Sequence, residues 1–225
     1  PYQSILGKPF SDFSASELVK DMDFIRINGR EVKYFGDCRY SYGNSSHQPC
    51  SIPEDSYLFK ICQHVKTLYP TQSFNSVLVT KFEDGNSFLP FHSDNEAEIV
   101  ENSHILTVSL GAGRTVSFQK INGNSTKRLQ VSHGDVYVMS ASSQSEYRHG
   151  VPKDFCKRMR VSLTFRHLKT PSGQSMELTD SQISIANFLD NLSASPEPSA
   201  PQESIEQCVD TLFISSSMFR HLKDT

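Results

Sequence analysis

From residue 76 to residue 168 the chain alternates. The stretches "SVLVTKF", "HILTVSLG", "RTVSFQ", "KRLQVS", "DVYVMS" and "RMRVSLTFRHL" place apolar side chains at every second position, and "EDGNS", "GAG", "INGNS" and "HGD" interrupt them. A period of two broken by Gly, Asn and Asp predicts short strands joined by tight turns. With no helical stretch between them, the strands are expected to form an antiparallel sandwich or barrel. Before residue 76 the pattern differs. Ser14 and Ser16 with Glu17 open a short helical stretch in "SASELVKDMDF", and "GREVKYFGDCRYSYGNSSHQP" reads as a strand running into a long aromatic-rich loop. Ser51 and Pro53 start a second helix, on which Tyr57, Leu58, Ile61, Cys62, Val65 and Leu68 fall at helical spacing until Pro70 ends it. Helices packed on an all-β core make an α+β arrangement built on a jelly roll.

Beyond residue 168 the pattern changes again. Ser193 to Ser204, "SASPEPSAPQES", is a Pro/Ser/Glu linker. "TDSQISIANFLDNL" before it, with Ile185, Phe188, Leu189 and Leu192, and "SIEQCVDTLF" after it are candidate amphipathic helices of a tail.

Composition narrows the class. The chain has 225 residues, 36% apolar and 21% charged, and holds no apolar run long enough to span a bilayer. It begins at Pro1, so it is expected to be a piece of a longer chain, and it shows no secretory leader. The cysteines at 38, 50, 62, 156 and 208 lack both close pairing and metal-ligand spacing, which predicts free thiols in a reducing, cytoplasmic compartment. The net charge of −3 is unevenly spread: residues 1–113 carry −5, residues 114–167 carry +7, and residues 168–225 carry −5. A basic middle between acidic flanks is either a polyanion surface or a solvated face.

Candidate chemistry centres on "FLPFHSDNEAEI". On a strand, His92 and Asp94 share a face about 7 Å apart, close enough to hold one ion. Chance alone predicts about half a His-x-Asp pair in a chain of this composition, and this chain has two. The second, His133-Gly134-Asp135, straddles a turn glycine and reads as the entry to a strand. Two ligands do not complete a site. The two-histidine, one-carboxylate triad of non-haem iron needs another imidazole, for which His149 in "EYRHGVPK" is the natural candidate. In "RMRVSLTFR", Arg160, Ser162, Thr164 and Arg166 share one face, while Val161, Leu163 and Phe165 share the other. An arginine on an inward face requires a partner. The two guanidinium forks either clasp a short dicarboxylate between them or point outward to solvent or RNA.

Taken together and in order, "FNSVLVTKF", "FHSDNE", "VSLGAGRTVSF", "HGDVYVMSASSQSEYRHGVPK" and "RMRVSLTFR" closely resemble the AlkB family of Fe(II)/2-oxoglutarate-dependent nucleic-acid demethylases, and "VKYFGDCRYSYG" resembles that family's substrate lid. The resemblance covers about residues 30 to 168. It implies a double-stranded β-helix with supporting N-terminal helices: an N-terminal helical segment at 1–29, a dioxygenase domain at 30–168 and an acidic linker or tail at 169–225. It implies His92, Asp94 and His149 as iron ligands and leaves His133-Gly134-Asp135 as a turn. Arg160 and Arg166 are implied to secure 2-oxoglutarate, with Arg166 near the metal-bound end, and Glu96 to contact the target base near its exocyclic amine. Three positions depart from the pattern. Thr80 and Phe82 stand where Asn and Tyr often help bind the cosubstrate, and Ser162 stands where Asn is common. Losing a tyrosine hydroxyl removes about 0.5–1.5 kcal/mol of hydrogen bonding.

The implied reaction uses Fe(II), 2-oxoglutarate and O2, gives succinate, and hydroxylates an N-methyl group that then leaves as formaldehyde. The partner is methylated single-stranded RNA or DNA, whose base must leave its stack. Tyr34, Phe35, Tyr40 and Tyr42 are candidates to stack on it, with ordinary loop packing the alternative. Lys120, Lys127, Arg128, Arg148, Lys153, Lys157 and Arg158 are candidates to follow the phosphates. The chain looks most like the AlkB-type domains of plant RNA virus replication polyproteins. That implies a monomeric domain, covalently part of a polyprotein, in the host cytoplasm. Two other readings stand beside this one: a related oxygenase acting on a protein or small molecule, and a non-catalytic RNA-binding module.

Overall fold

The last strand, β13 (Arg160–Arg166), organises the molecule, because each of its faces meets a different layer. The computed structural model describes residues 1–5, 7–42 and 45–170, and the expectations for the tail from residue 171 onward lie outside them. In chain order the elements are β1 (Gln3–Ile5), α1 (Ala15–Val19), β2 (Ile25–Ile27), β3 (Arg30–Gly36), β4 (Tyr40–Tyr42), β5 (Ser45–His47) and α2 (Tyr57–Leu68). They continue with β6 (Ser76–Phe82), β7 (Leu89–His92), β8 (Ile105–Gly111), β9 (Arg114–Lys120), β10 (Thr126–Val131), β11 (Val136–Met139), α3 (Ala141–Glu146), β12 (Tyr147–Val151) and β13.

Among the described residues the strands form a seven-stranded sheet, β1-β11-β8-β13-β6-β3-β2, a four-stranded sheet, β10-β9-β12-β7, and the hairpin β4-β5. Neighbouring strands pair antiparallel throughout. Two sheets with few helices make the expected jelly roll, with α1 and α2 on the outer face of the larger sheet.

Alternation along β13 divides the core. Val161, Leu163 and Phe165 face the helices, packed with Phe10, Leu18, Leu58, Ile61 and Val65. Between the two sheets, Phe82, Ile105, Val116, Phe118, Tyr137 and Met139 form a second cluster. A third, of Val32, Tyr34, Tyr40, Leu78 and Leu168, seats the hairpin. Burying a side chain of this size contributes about 1.5–3 kcal/mol, so residues on both faces of β6 and β8 are removed from water.

Local signals account for the helices. Ser14 Oγ accepts from the Glu17 N–H to cap α1. For α2 the cap is Ser56, which accepts from the Phe59 N–H at 3.1 Å, so the helix starts later than Ser51 and Pro53 suggest; Pro53 instead begins a turn whose carbonyl accepts from the Ser56 N–H. Residues 1–29 are not purely helical. They hold the five-residue α1 together with β1 and β2, which extend the large sheet at its two edges. Three-residue strands are too short to show a period and owe their form to pairing with β11 and β3.

Candidate active site

His92 closes β7, and its α-carbon pairs across the small sheet with that of His149 on β12. Paired antiparallel residues project from the same face, so the imidazoles meet with ring centroids 4.3 Å apart. Asp94 lies in the loop after β7, not on the strand as alternation suggests. Its aim is set by distant residues: its N–H donates to Gln144 Oε1 at 3.0 Å, and Oδ2 accepts from Arg166 Nη2 at 2.7 Å and Nε at 3.2 Å. Oδ1 is left facing His92 Nε2 at 3.3 Å. One ligand atom from each of His92, Asp94 and His149 lies within 4.8 Å of the others, the spacing of groups that share one ion.

For His149 and Asp94 the protonation states suit a cation. His92 Nδ1 lies 3.0 Å from the Pro90 carbonyl. Donating there leaves the Nε2 lone pair free for a metal. Burial lowers the pKa of His149 to about 4, against a smaller opposing pull from Asp94, so its ring stays neutral; Phe118 stacks on it at 6.0 Å. For His92, burial is outweighed by Asp94 and Pro90, and its pKa rises. Asp94 is fully buried, yet the Arg166 guanidinium beside it holds its carboxyl well below the usual range.

From these ligands a cavity of about 40 Å³ runs along β13 between the sheets, lined by Thr80, Phe82, Arg160, Ser162, Thr164 and Arg166, with Tyr42 and Arg30 on another side. Ser162 lies in register between Thr80 and Ser109, so the hydroxyls of Thr80 and Ser162 line the cavity with Ser109 beside them. At the far end Arg160 is 1% exposed; its Nε donates to Ser109 Oγ at 3.0 Å. Its Nη1 and Nη2 are buried with no hydrogen-bond partner among the described residues. Burial lowers its pKa to about 10 despite the neighbouring Tyr137 hydroxyl, and the Phe82 ring sits 5.2 Å away. A planar cation with two unused donor pairs can receive a carboxylate. A larger cavity, about 310 Å³, lies under α2 on the opposite face of the large sheet and touches none of these residues.

The expected lid aromatics separate. Tyr42 lines the cavity, its ring stacked on His47 at 5.4 Å and its hydroxyl buried without a hydrogen-bond partner among the described residues. Tyr34 and Tyr40 are buried and stacked on each other at 5.7 Å, and Tyr40 also lies under the Arg166 guanidinium. Neither has a free face. Phe35 points the other way, into the core under the helices, so it is not available to a base at this cavity. Glu96 stands near Tyr40 with Oε2 buried and without a hydrogen-bond partner among the described residues; burial and the Asp94 charge raise its pKa. The second His-x-Asp pair is structural. His133 accepts from the Gly111 N–H and reaches the Ser11 carbonyl, while Asp135 caps its own turn at the Ser132 N–H.

Sequence reasoning misses Arg114, Tyr137, Gln144 and Arg30. Arg114 was open to the argument used for Arg160: "RTVSF" puts it on the inward face with Val116 and Phe118. It is 1% exposed and ties Asp154 Oδ2, at 2.8 Å, to the carbonyls of Asp84, Ser87 and Pro152. Gln144 sits on α3, a serine-rich turn of helix with no periodic signal.

Comparison with known proteins agrees with the geometry. The sequence model of the 2OG-Fe(II) oxygenase superfamily matches residues 21–166. The mouse (Mus musculus) DNA oxidative demethylase ALKBH2 is 33% identical over 191 residues, covering 74% of this chain and 79% of that protein. The RNA replication protein of Grapevine virus A (isolate Is 151) is 25% identical over 140 residues, which are 61% of this chain and 8% of that protein. Among solved structures, that of OsALKBH1 superposes with a TM-score of 0.50 at 16% identity, covering 74% of this chain and 97% of that one, a likeness of fold.

Proposed function

This chain belongs to the AlkB family of 2OG-Fe(II) oxygenases, and from that premise we propose that it removes methyl groups from N-methylated bases of single-stranded RNA, and of DNA, by oxidation. As a member of the family it is an Fe(II)- and 2-oxoglutarate-dependent dioxygenase. The observation that carries the proposal is a single cavity with three converging ligands at one end and an unpartnered buried guanidinium at the other.

The residues fit both groups. Two imidazole nitrogens and one carboxylate oxygen are the donor set of non-haem iron and leave coordination positions open. His92, Asp94 and His149 would hold Fe(II); Arg160 would take the far carboxylate of 2-oxoglutarate, with Ser162 and Thr80 along its length. Iron with 2-oxoglutarate and O2 supplies the oxidising power for a methyl C–H bond. The chain's own work is placement. Arg166 occupies the back oxygen of Asp94, so the carboxylate presents only Oδ1. Phe118 stacks on His149, and Val116 adds an apolar wall to the cavity beside it. Glu96 and Tyr42, each with a buried oxygen that has no partner among the described residues, would meet the polar edge of a flipped base. Once hydroxylated, the N-methyl group leaves as formaldehyde.

RNA as the biological substrate, within a viral replication polyprotein in the host cytoplasm, is supported by the match to the grapevine virus replication protein. No helix of the described residues is long and apolar enough to cross a membrane. Formaldehyde and succinate release are to be measured on a panel of RNA and DNA oligonucleotides carrying 1-methyladenine, 3-methylcytosine or N6-methyladenine. Release from at least one, lost in His92→Ala, is expected; tight RNA binding with no 2-oxoglutarate consumption on any of them would leave only a binding module.

A further inference from the structure

The loop between Val151 and Arg160 joins two residues that line the cavity, and the chemistry above makes no use of what it carries. Phe155 is 96% exposed at its tip. The loop is pinned on both sides of that ring. Asp154 binds the buried Arg114 at 2.8 Å, and its N–H donates to the Gly85 carbonyl at 2.9 Å. In return the Gly85 N–H donates to the Cys156 carbonyl at 2.6 Å, and the Cys156 N–H to Asp154 Oδ1 at 2.8 Å. A Cβ at Gly85 would collide with the Asp154 backbone, which shows how closely the two loops are packed. An apolar tip on a loose loop folds back onto the surface, but Phe155 cannot, because both neighbours are bonded to a fixed frame.

The loop itself carries net positive charge, with Asp84 of the adjoining loop near Lys157. Lys153, Lys157 and Arg158 are exposed on the same loop, and its acid, Asp154, is neutralised by Arg114. An uncovered aromatic ring among cations matches a nucleic-acid strand, whose bases stack on any π-face while their phosphates meet the lysines and arginines. An anionic membrane surface is the other partner for such chemistry. Stable membrane binding draws on a broad apolar face, whereas this loop offers one ring, and its ends run directly into the cavity.

We propose that Phe155 is a stacking platform for a base beside the target nucleotide, with Lys153, Lys157 and Arg158 on the adjoining phosphates. The proposal rests on the nucleic-acid reading above and adds to it where the strand runs.

The chain has no tryptophan, so Phe155→Trp places a single indole at the tip. Fe(II)-loaded protein without 2-oxoglutarate is titrated with an unmethylated single-stranded RNA of about ten nucleotides, a few per stacking platform, and separately with phosphatidylcholine/phosphatidylserine vesicles. The RNA is expected to quench the indole to saturation. By anisotropy at fixed salt, Phe155→Ala and Phe155→Leu are both expected to bind it about tenfold more weakly, the loss of roughly one stacked base. Unchanged emission while the RNA binds would overturn the proposal, as would full affinity in Phe155→Leu. A blue shift on vesicles without quenching by RNA would assign the tip to membranes instead. None of these readouts needs turnover, so a failure of demethylation and a failure of stacking are seen separately.

Discussion

Arg166 and Arg160 stand six residues apart on one face of β13, about 20 Å between α-carbons at the usual strand rise. Both are withdrawn from water, yet their surroundings are opposite. Arg166 makes two hydrogen bonds to Asp94 and lies over Tyr40; the Asp94 charge outweighs burial and its pKa rises. Among the described residues Arg160 makes one hydrogen bond, to Ser109, and burial lowers its pKa. The first is a completed internal pair that aims a ligand. The second is a buried cation whose free donors are open to a partner, as the proposed role in holding 2-oxoglutarate requires. Under that proposal, identical residues on one strand divide between holding the site together and receiving what enters it.

Removing the partner of the completed pair is expected to have the largest effect. Asp94→Ala leaves Arg166 buried and unpaired, which costs about 3–5 kcal/mol. Thermal unfolding should fall by roughly 10 °C or more, with formaldehyde release at background. A variant as stable as the parent would show that the pair holds nothing together. Arg160→Met is expected to separate the two functions. Unfolding should shift by no more than about 1 kcal/mol, since the loss of one charge-assisted hydrogen bond to Ser109 is offset by removal of an otherwise unpaired buried charge. The KM for 2-oxoglutarate should rise about 10- to 100-fold, the loss of charge-assisted bonds.

Ligand linkage sharpens the contrast. With Mn(II) and without O2, 2-oxoglutarate at about 100 times its Kd should stabilise the parent by about 2.7 kcal/mol, and Arg160→Met should show almost none of that gain by differential scanning fluorimetry. Phe82→Tyr is the smallest change. It places a hydroxyl beside Arg160, and a net gain of about 0.5–1.5 kcal/mol should lower the KM for 2-oxoglutarate some two- to tenfold. A raised KM would mean that the ring edge points away from the cosubstrate.

Much of this contrast is legible in the chain itself. Alternation in "RMRVSLTFR" suffices to put both arginines on the face opposite Val161, Leu163 and Phe165. The same rule, applied to "KYFG", sends Tyr34 and Phe35 to opposite faces, so they cannot serve one cavity together, and Phe35 is indeed the one lost to the helix-side core. Elsewhere local pattern is silent. The orientation of Asp94 comes from Gln144 and Arg166, 50 and 72 residues further along. Which arginine has a partner and which has none depends on where that loop closes over β13. Strands β1 and β2 exist because longer neighbours template them. Free thiols at Cys38, Cys50, Cys62 and Cys156 agree with the expectation from spacing.

The pairing of His92 with His149 across β7 and β12 reaches beyond catalysis. Side chains on adjacent positions of a strand point in opposite directions, so a slip of one residue would swing one imidazole to the outside. With His92 and His149 as the proposed ligands, iron would audit the threading of the small sheet: only a molecule whose two strands have settled correctly would offer both nitrogens together. The metal-to-chain ratio of a preparation would count the fraction that did so.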